Sequence, residues 1–307
     1  MRSKPAYLSW LFIAASCVYA QKVDALKNKS DSILTINDSL SIFQLIDSLI
    51  ILFEEQNHSF LHARLMYNSN VLAAGRTLGI DQFGLSPGIT YHHKSGAYAD
   101  ISGYWSRNFN PNYYLTIFSA GYMRALGKRF TIMASFDHYA YGFDQTSTPF
   151  TDALSASVAY DLKHLSIQTD YSYFFGNQQV HRITQSVYGR FEKENAWKAD
   201  KIIFNPGFYL LLGDTEVTEI ILPDNRVEWI VAWLRIRRGL PWYTVRTYRV
   251  FGIMNYAFSA PLTFKKGIFN LTLSYMYNIP RALPGEVLDL SESSFFMAGV
   301  SCQVPMK

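Results

Sequence analysis

Few residues of this chain have both the type and the spacing that chemistry needs. His164-Leu165-Ser166 sets an imidazole two residues from a hydroxyl. On an extended strand both would leave one face, and the base could activate the nucleophile for ester cleavage. The pair falls instead at a tight turn, and such short pairs recur by chance, so it reads as an ordinary turn histidine beside a serine. His92 and His93 are adjacent, so on a strand they point to opposite faces and cannot hold one metal ion together. The sequence has no Gly-rich phosphate loop, zinc spacing or nucleophile elbow. The expectation is no catalytic residue, no cofactor and no metal. Another set carries charge without a motif: Arg64, Asp100, Arg124, Asp137, Asp161, Asp170, Arg182, Arg190 and Arg249. Both signs are present and nearly balanced. Gathered on one enclosed side, such charges pair across a narrow interior, or line a water path in a wider one; the first is the commoner use.

What must position them is a series of strands. In LSIQTDYSYF, Leu165, Ile167, Thr169, Tyr171 and Tyr173 oppose Ser166, Gln168, Asp170 and Ser172. The same period of two recurs from His58 onward, for example in Leu61–Asn68, Ala153–Leu162 and Phe269–Ile279. Candidate strands are 60–71, 86–93, 97–106, 113–125, 130–141, 152–162, 165–175, 180–192, 199–212, 245–261, 268–279 and 294–304. Their connections alternate. HKSG, LGKR, LKH, ENAWKA and FKKG are tight. LAAGRTLGIDQFGLS, RNFNPN, GFDQTSTP, FGNQ, an insertion over 213–244 and PRALPGEVLDLSES are longer or less regular. Short turns at one end and long loops at the other are the asymmetry of a transmembrane barrel. Strands of about 9–13 residues suit a tilted crossing, whereas strands of soluble sandwiches are nearer 5–6. A sheet in lipid must close, because no backbone group can be left unpaired there. The expected fold is therefore all-β: a transmembrane antiparallel up-and-down β-barrel of about twelve strands, with ten or fourteen as alternatives, preceded by a short amphipathic α-helix. Val227–Arg238, VEWIVAWLRIRR, is the ambiguous stretch: a strand pairing with 215–222, a hairpin above the membrane, or a helix in a loop.

Composition agrees. Of 307 residues, 16% are aromatic and 17% charged, with 21 tyrosines, against roughly 25% charge in soluble domains. Tyr113, Tyr114, Tyr139, Tyr141, Tyr171, Tyr173, Tyr275 and Tyr277 sit near strand ends at the long loops, where an amphipathic ring suits the water–lipid boundary. Residues 1–20 read as a signal peptide: Arg2 and Lys4, an apolar Leu8–Ala15, then Val18-Tyr19-Ala20. Cys17 after Ala14-Ala15-Ser16 is a weaker lipidation alternative. Cleavage at Ala20 removes Arg2 and Lys4, taking the charge from +4 to +2, which argues against a nucleic-acid partner. Only Cys302 would remain, so no internal disulfide forms. Residues 21–57 hold a polar segment and, over Asn37–Glu55, an amphipathic helix that covers apolar surface or, less simply, plugs a pore. The barrel occupies 58–307.

On this pattern, and on the hairpin FGLSPGITYHHKSGAYADISGYWS (Phe83–Ser106), the chain resembles outer-membrane β-barrels of Gram-negative bacteria, in particular barrels common among Bacteroidota. The resemblance covers roughly 58–307. It implies the cell outer membrane, periplasmic termini, contact with outer-membrane lipid, and a small solute or a cell-surface partner. Such barrels often end on an aromatic residue; this sequence reads Val304-Pro305-Met306-Lys307. Phospholipase-type barrels carry a His-x-Ser pair near the outer leaflet, whereas His164 falls at the other end and no convincing Asn partner follows. Three functions stay open: a structural anchor or small-solute channel, a lipid-modifying enzyme, and a soluble periplasmic β-sandwich binding module.

Overall fold

A computed structural model describes residues 58–70, 84–107, 110–127, 129–142, 150–286 and 290–306. The leader over 1–20, Cys17, the segment 21–57 and its helix at Asn37–Glu55 lie outside these residues.

Fifteen strands form one antiparallel sheet: β1 (Ser59–Asn68), β2 (Gly84–His92), β3 (Ala97–Ser106), β4 (Tyr113–Leu126), β5 (Phe130–Tyr141), β6 (Asp152–Asp161), β7 (Leu165–Phe175), β8 (Val180–Gly189), β9 (Phe191–Ala196), β10 (Ala199–Phe204), β11 (Gly207–Ile221), β12 (Thr244–Ser259), β13 (Leu262–Lys266), β14 (Phe269–Pro280) and β15 (Ser293–Met306). β9, β10 and β13 continue β8, β11 and β12 across short breaks. Two of these breaks hold Pro206 and Pro261, which have no N–H to give a ladder. The wall is thus a closed barrel of twelve strands. β15 pairs back onto β1 from Ser59↔Met306 to Asn68↔Met297, and β12 pairs with β14 from Asn255↔Pro280 to Ser259↔Met276.

The two faces have opposite chemistry. Leu65, Ile89, Ile101, Phe118, Phe136, Leu154 and Val158 project outward and are exposed. His62, Thr90, Ser102, Ser119, Ser157, Gln168, Thr184 and Asn270 project inward and are buried. Leu165, Ile167 and Tyr171 take the outer face and Ser166 and Gln168 the inner one. The apolar face of LSIQTDYSYF therefore meets no second layer among the described residues.

The ends differ as well. The tight connections lie together; between β9 and β10 the turn is only Trp197-Lys198, both with positive φ (52° and 65°), the backbone of a two-residue hairpin matched to strand twist. At the other end β11 and β12 outgrow their neighbours. β8 accompanies β11 only as far as Gly213, and β14 accompanies β12 only as far as Asn255. Asp214–Ile221 and Thr244–Phe251 then pair with each other alone. The stretch expected as an insertion from 213 thus begins as a two-stranded ribbon, and VEWIVAWLRIRR is a helix, α1 (Arg226–Arg237), not a further strand. Its start is specified locally. Asn225 Oδ1 accepts from the Glu228 N–H at 3.0 Å, while the Glu228 carboxylate accepts from Asn225 Nδ2 at 2.7 Å; this reciprocal cap satisfies donors that a helix start leaves open. Arg235 and Arg237 sit in the last turn, opposite the carbonyl end of the dipole.

Candidate functional site: the barrel interior

Alternation on β1, β2 and β3 delivers the central cluster. Arg64 of β1 lies directly over Gly88 of β2; a Cβ there would fall 2.8 Å from Arg64 Cζ, so glycine makes the room. The guanidinium then reaches across β2 to β3. Nη1 donates to Asp100 Oδ1 at 2.8 Å and Nη2 to Asp100 Oδ2 at 3.1 Å, a two-pronged pair. Thr90 and Ser102 each accept from Arg64 at 2.6 Å and each donate to Asp100 at 2.5 Å. Arg64 and Asp100 are both 8% exposed. Two charges so far from water persist because every lone pair and proton between them is engaged.

The other charged candidates scatter along the interior rather than converge. Asp137 is buried on β5, with Ser135 donating to it at 3.5 Å. Asp170 of β7 accepts from Gln168 at 2.8 Å. Asp161, at the tight-turn end of β6, accepts from Ser166 at 2.5 Å, so the serine of the His164-Leu165-Ser166 stretch is engaged with a carboxylate. Arg182 of β8 is buried and donates to the Asp214 carbonyl at 2.6 Å, where β11 parts from β8. Arg190 stands in the break between β8 and β9 and ion-pairs with Glu192 in the tight-turn hairpin.

Two candidates lie on the opposite face. Arg124 shares the outer face of β4 with Phe118 and Tyr122, near the tight-turn end. There a long side chain can lay its stem on apolar surface and keep its head in water, so charge alone does not mark the interior. Alternation alone puts Arg249 inward. A bulge intervenes: Leu211 pairs with Asn255 but Leu212 with Ile253, leaving Met254 extra. One extra residue inverts every later side chain. Arg249 consequently leaves the ribbon's outer face, 3.8 Å from Asp214 and 3.5 Å from Glu216.

The long-loop end holds what alternation did not reveal. Tyr104, Tyr114, Ile117, Tyr139, Phe150 and Phe174 form a buried apolar cluster across β3–β8. Phe150 and Phe174 approach at 5.0 Å between centroids, and Tyr139 meets Phe150 edge-on at 6.0 Å. Only Tyr113, Tyr171 and Tyr275 of the tyrosines expected at a lipid boundary are exposed; Tyr114, Tyr139 and Tyr141 turn inward. Parity with Asp137 gives Tyr139 and Tyr141 the inner face, whereas Tyr114 reaches it at a bulge, where Tyr104 pairs with Leu115 but Trp105 with Tyr113. Below, the interior is polar, and several buried atoms have no hydrogen-bonding partner among the described residues: both ring nitrogens of His62, His92 Nε2, Gln168 Oε1, Asn255 Oδ1 and Asn278 Nδ2. Among the described residues no three His, Cys, Asp or Glu gather as a metal site would need. The arrangement offers hydrogen bonds and paired charges to something small and polar.

No family model and no curated protein sequence matches the chain. Among solved structures, it is similar to a KdgM porin (9% identity, TM-score 0.43, 79% of this chain and 98% of that one). It is also similar to the NanC porin (14%, 0.40, 79% and 98%) and to a bacterial polysaccharide outer membrane secretin (9%, 0.39, 83% and 100%).

Proposed function

We propose that the protein is an integral outer-membrane β-barrel that lets small polar solutes pass through a constricted interior. The observation that carries this is the inversion of polarity: a closed wall, apolar outside and polar within. A soluble sandwich would bury its apolar faces; here they point away from the rest of the described residues, as lipid contact requires. The polar interior, with buried atoms that still seek a partner, favours water and a small solute over a dry core. Ser59, where β1 begins, and Met306, where β15 ends, then lie at the tight-turn, periplasmic side. A second reading, a closed anchor presenting its long loops to a partner, is favoured by the aromatic cluster across half of the outer mouth.

Planar-bilayer recording on refolded protein separates the two. Discrete steps that grow when the aromatic cluster is trimmed support passage; silence from both wild type and the trimmed variant supports the anchor. Release by a carbonate wash, without detergent, would remove the membrane placement that both share.

A further inference from the structure

Helix α1 stands where the barrel wall has ended, and among the described residues most of its apolar side chains are uncovered. Ala232, 2% exposed, lies one turn from Trp229, on the side where Trp229 stacks on Trp242. On the opposite side Val227, Ile230, Val231 and Leu234 recur at the spacing of a single helical stripe. All four are exposed, Val227 the most at 70%. Flanking the stripe are Arg226, Arg235, Arg237 and Arg238, against one acid, Glu228, which is occupied by the cap. Trp233 lies beside them with the Arg237 guanidinium 3.7 Å over its ring, and Trp229 stacks on Trp242 at 5.8 Å.

We propose that α1 docks on a lipid surface bearing phosphate headgroups, with the aliphatic stripe against acyl chains and the arginines on phosphates. This rests on the membrane reading above. Charge selects the occupant. Two copies meeting stripe to stripe would bring four arginines against four, whereas an anionic amphiphile satisfies both the apolar stripe and its basic rim. The ribbon's build agrees. Its interior-side face is propped by the loop after β14: Leu283 packs with Leu211 and Met254, and Gly285 lies against Tyr248 and Val217. The other face, with Ile220 and Val245 exposed beside the Arg249–Glu216 pair, is left bare by the described residues, and neither strand edge is paired among them. The prop lies on the pore side of the ribbon, so the bare face and the helix are the parts free to meet the leaflet around the barrel.

The test places a fluorophore at Ile230→Cys in a Cys302→Ser background lacking residues 1–20, with Val158→Cys as a reporter on the barrel wall. Refolding of each variant is checked by heat-modifiable gel mobility. Proteins are reconstituted in vesicles of brominated phosphatidylcholine, alone or mixed with phosphatidylglycerol. Bromine should quench both labels, and quenching at Ile230 should rise about twofold with phosphatidylglycerol. Arg235→Gln, Arg237→Gln and Arg238→Gln together should abolish that rise without changing the Val158 signal. If aqueous iodide reaches the Ile230 label equally in both vesicles while Val158 stays protected, the docking is wrong and the barrel stands. If neither label is quenched by bromine, the membrane reading falls and this inference falls with it. A ready disulfide between two Ile230→Cys chains would overturn the proposal in favour of a second copy.

Discussion

At the scale of residues, the interior beside β1–β3 is organised by the buried Arg64–Asp100 pair and the glycine that admits it. Arg64→Ala would leave Asp100 charged among Thr90 and Ser102 with no cation facing it. Breaking one partner of a buried pair costs about 3–5 kcal/mol, so we expect the midpoint of urea unfolding in detergent to fall sharply. Arg64→Met with Asp100→Leu should recover most of that loss, because apolar replacements need no partner. Equal destabilisation of the single and double variants would show that the pair is incidental. Gly88→Val should act through Arg64, its branched side chain competing with the guanidinium that now lies over the glycine. A loss of about 1–3 kcal/mol is expected, typical of overpacking, and it should shrink in the Arg64→Met, Asp100→Leu background.

Among the elements, the ribbon and its helix should separate cleanly from the barrel. β8 and β14 hold β11 and β12 only below Gly213 and Asn255. Replacing 216–249 with a two-residue turn should therefore leave heat-modifiable mobility intact while removing the lipid response at the helix. Failure to form the compact band would mean that the ribbon nucleates closure at the seam just below it, where β12 begins to pair with β14 at Asn255↔Pro280. Within α1, Asn225→Ala removes the cap acceptor and should cost the helix about 1 kcal/mol. Faster amide exchange confined to 226–237 would register it; unchanged exchange would show that the helix is held by its contacts instead.

For the whole molecule, function turns on whether the aromatic cluster at the long-loop end is a seal. Tyr139→Ala with Phe174→Ala removes rings from its middle while leaving the Arg64–Asp100 region untouched. We expect single-channel conductance to rise severalfold in planar bilayers, together with a lower unfolding midpoint from the lost packing, on the order of 3–5 kcal/mol per ring. A conductance identical to wild type would locate the constriction elsewhere, around Arg64 or Arg182.

Alternation of apolar and polar residues, tight turns alternating with long loops, and the length of each run were enough to set out an all-β chain that closes with twelve strands. These are local properties: a side chain's face follows from its parity, and the need to pair every backbone group in lipid forces closure. Parity also placed Arg64, Asp100, Asp137, Asp161, Asp170 and Arg182 on one face. It could not see the extra residue at Met254, which turned Arg249 outward; at Arg124 parity with Phe118 and Tyr122 was the better guide, and charge alone had suggested the interior. That VEWIVAWLRIRR coils although both ribbon edges beside it are open follows from its local start, the Asn225 cap. That Tyr114 turns inward, which carboxylate Arg64 meets, and where the wall stops and the ribbon begins are facts about strands distant in sequence brought side by side. They depend on register around the whole barrel, a quantity that no single stretch of residues contains.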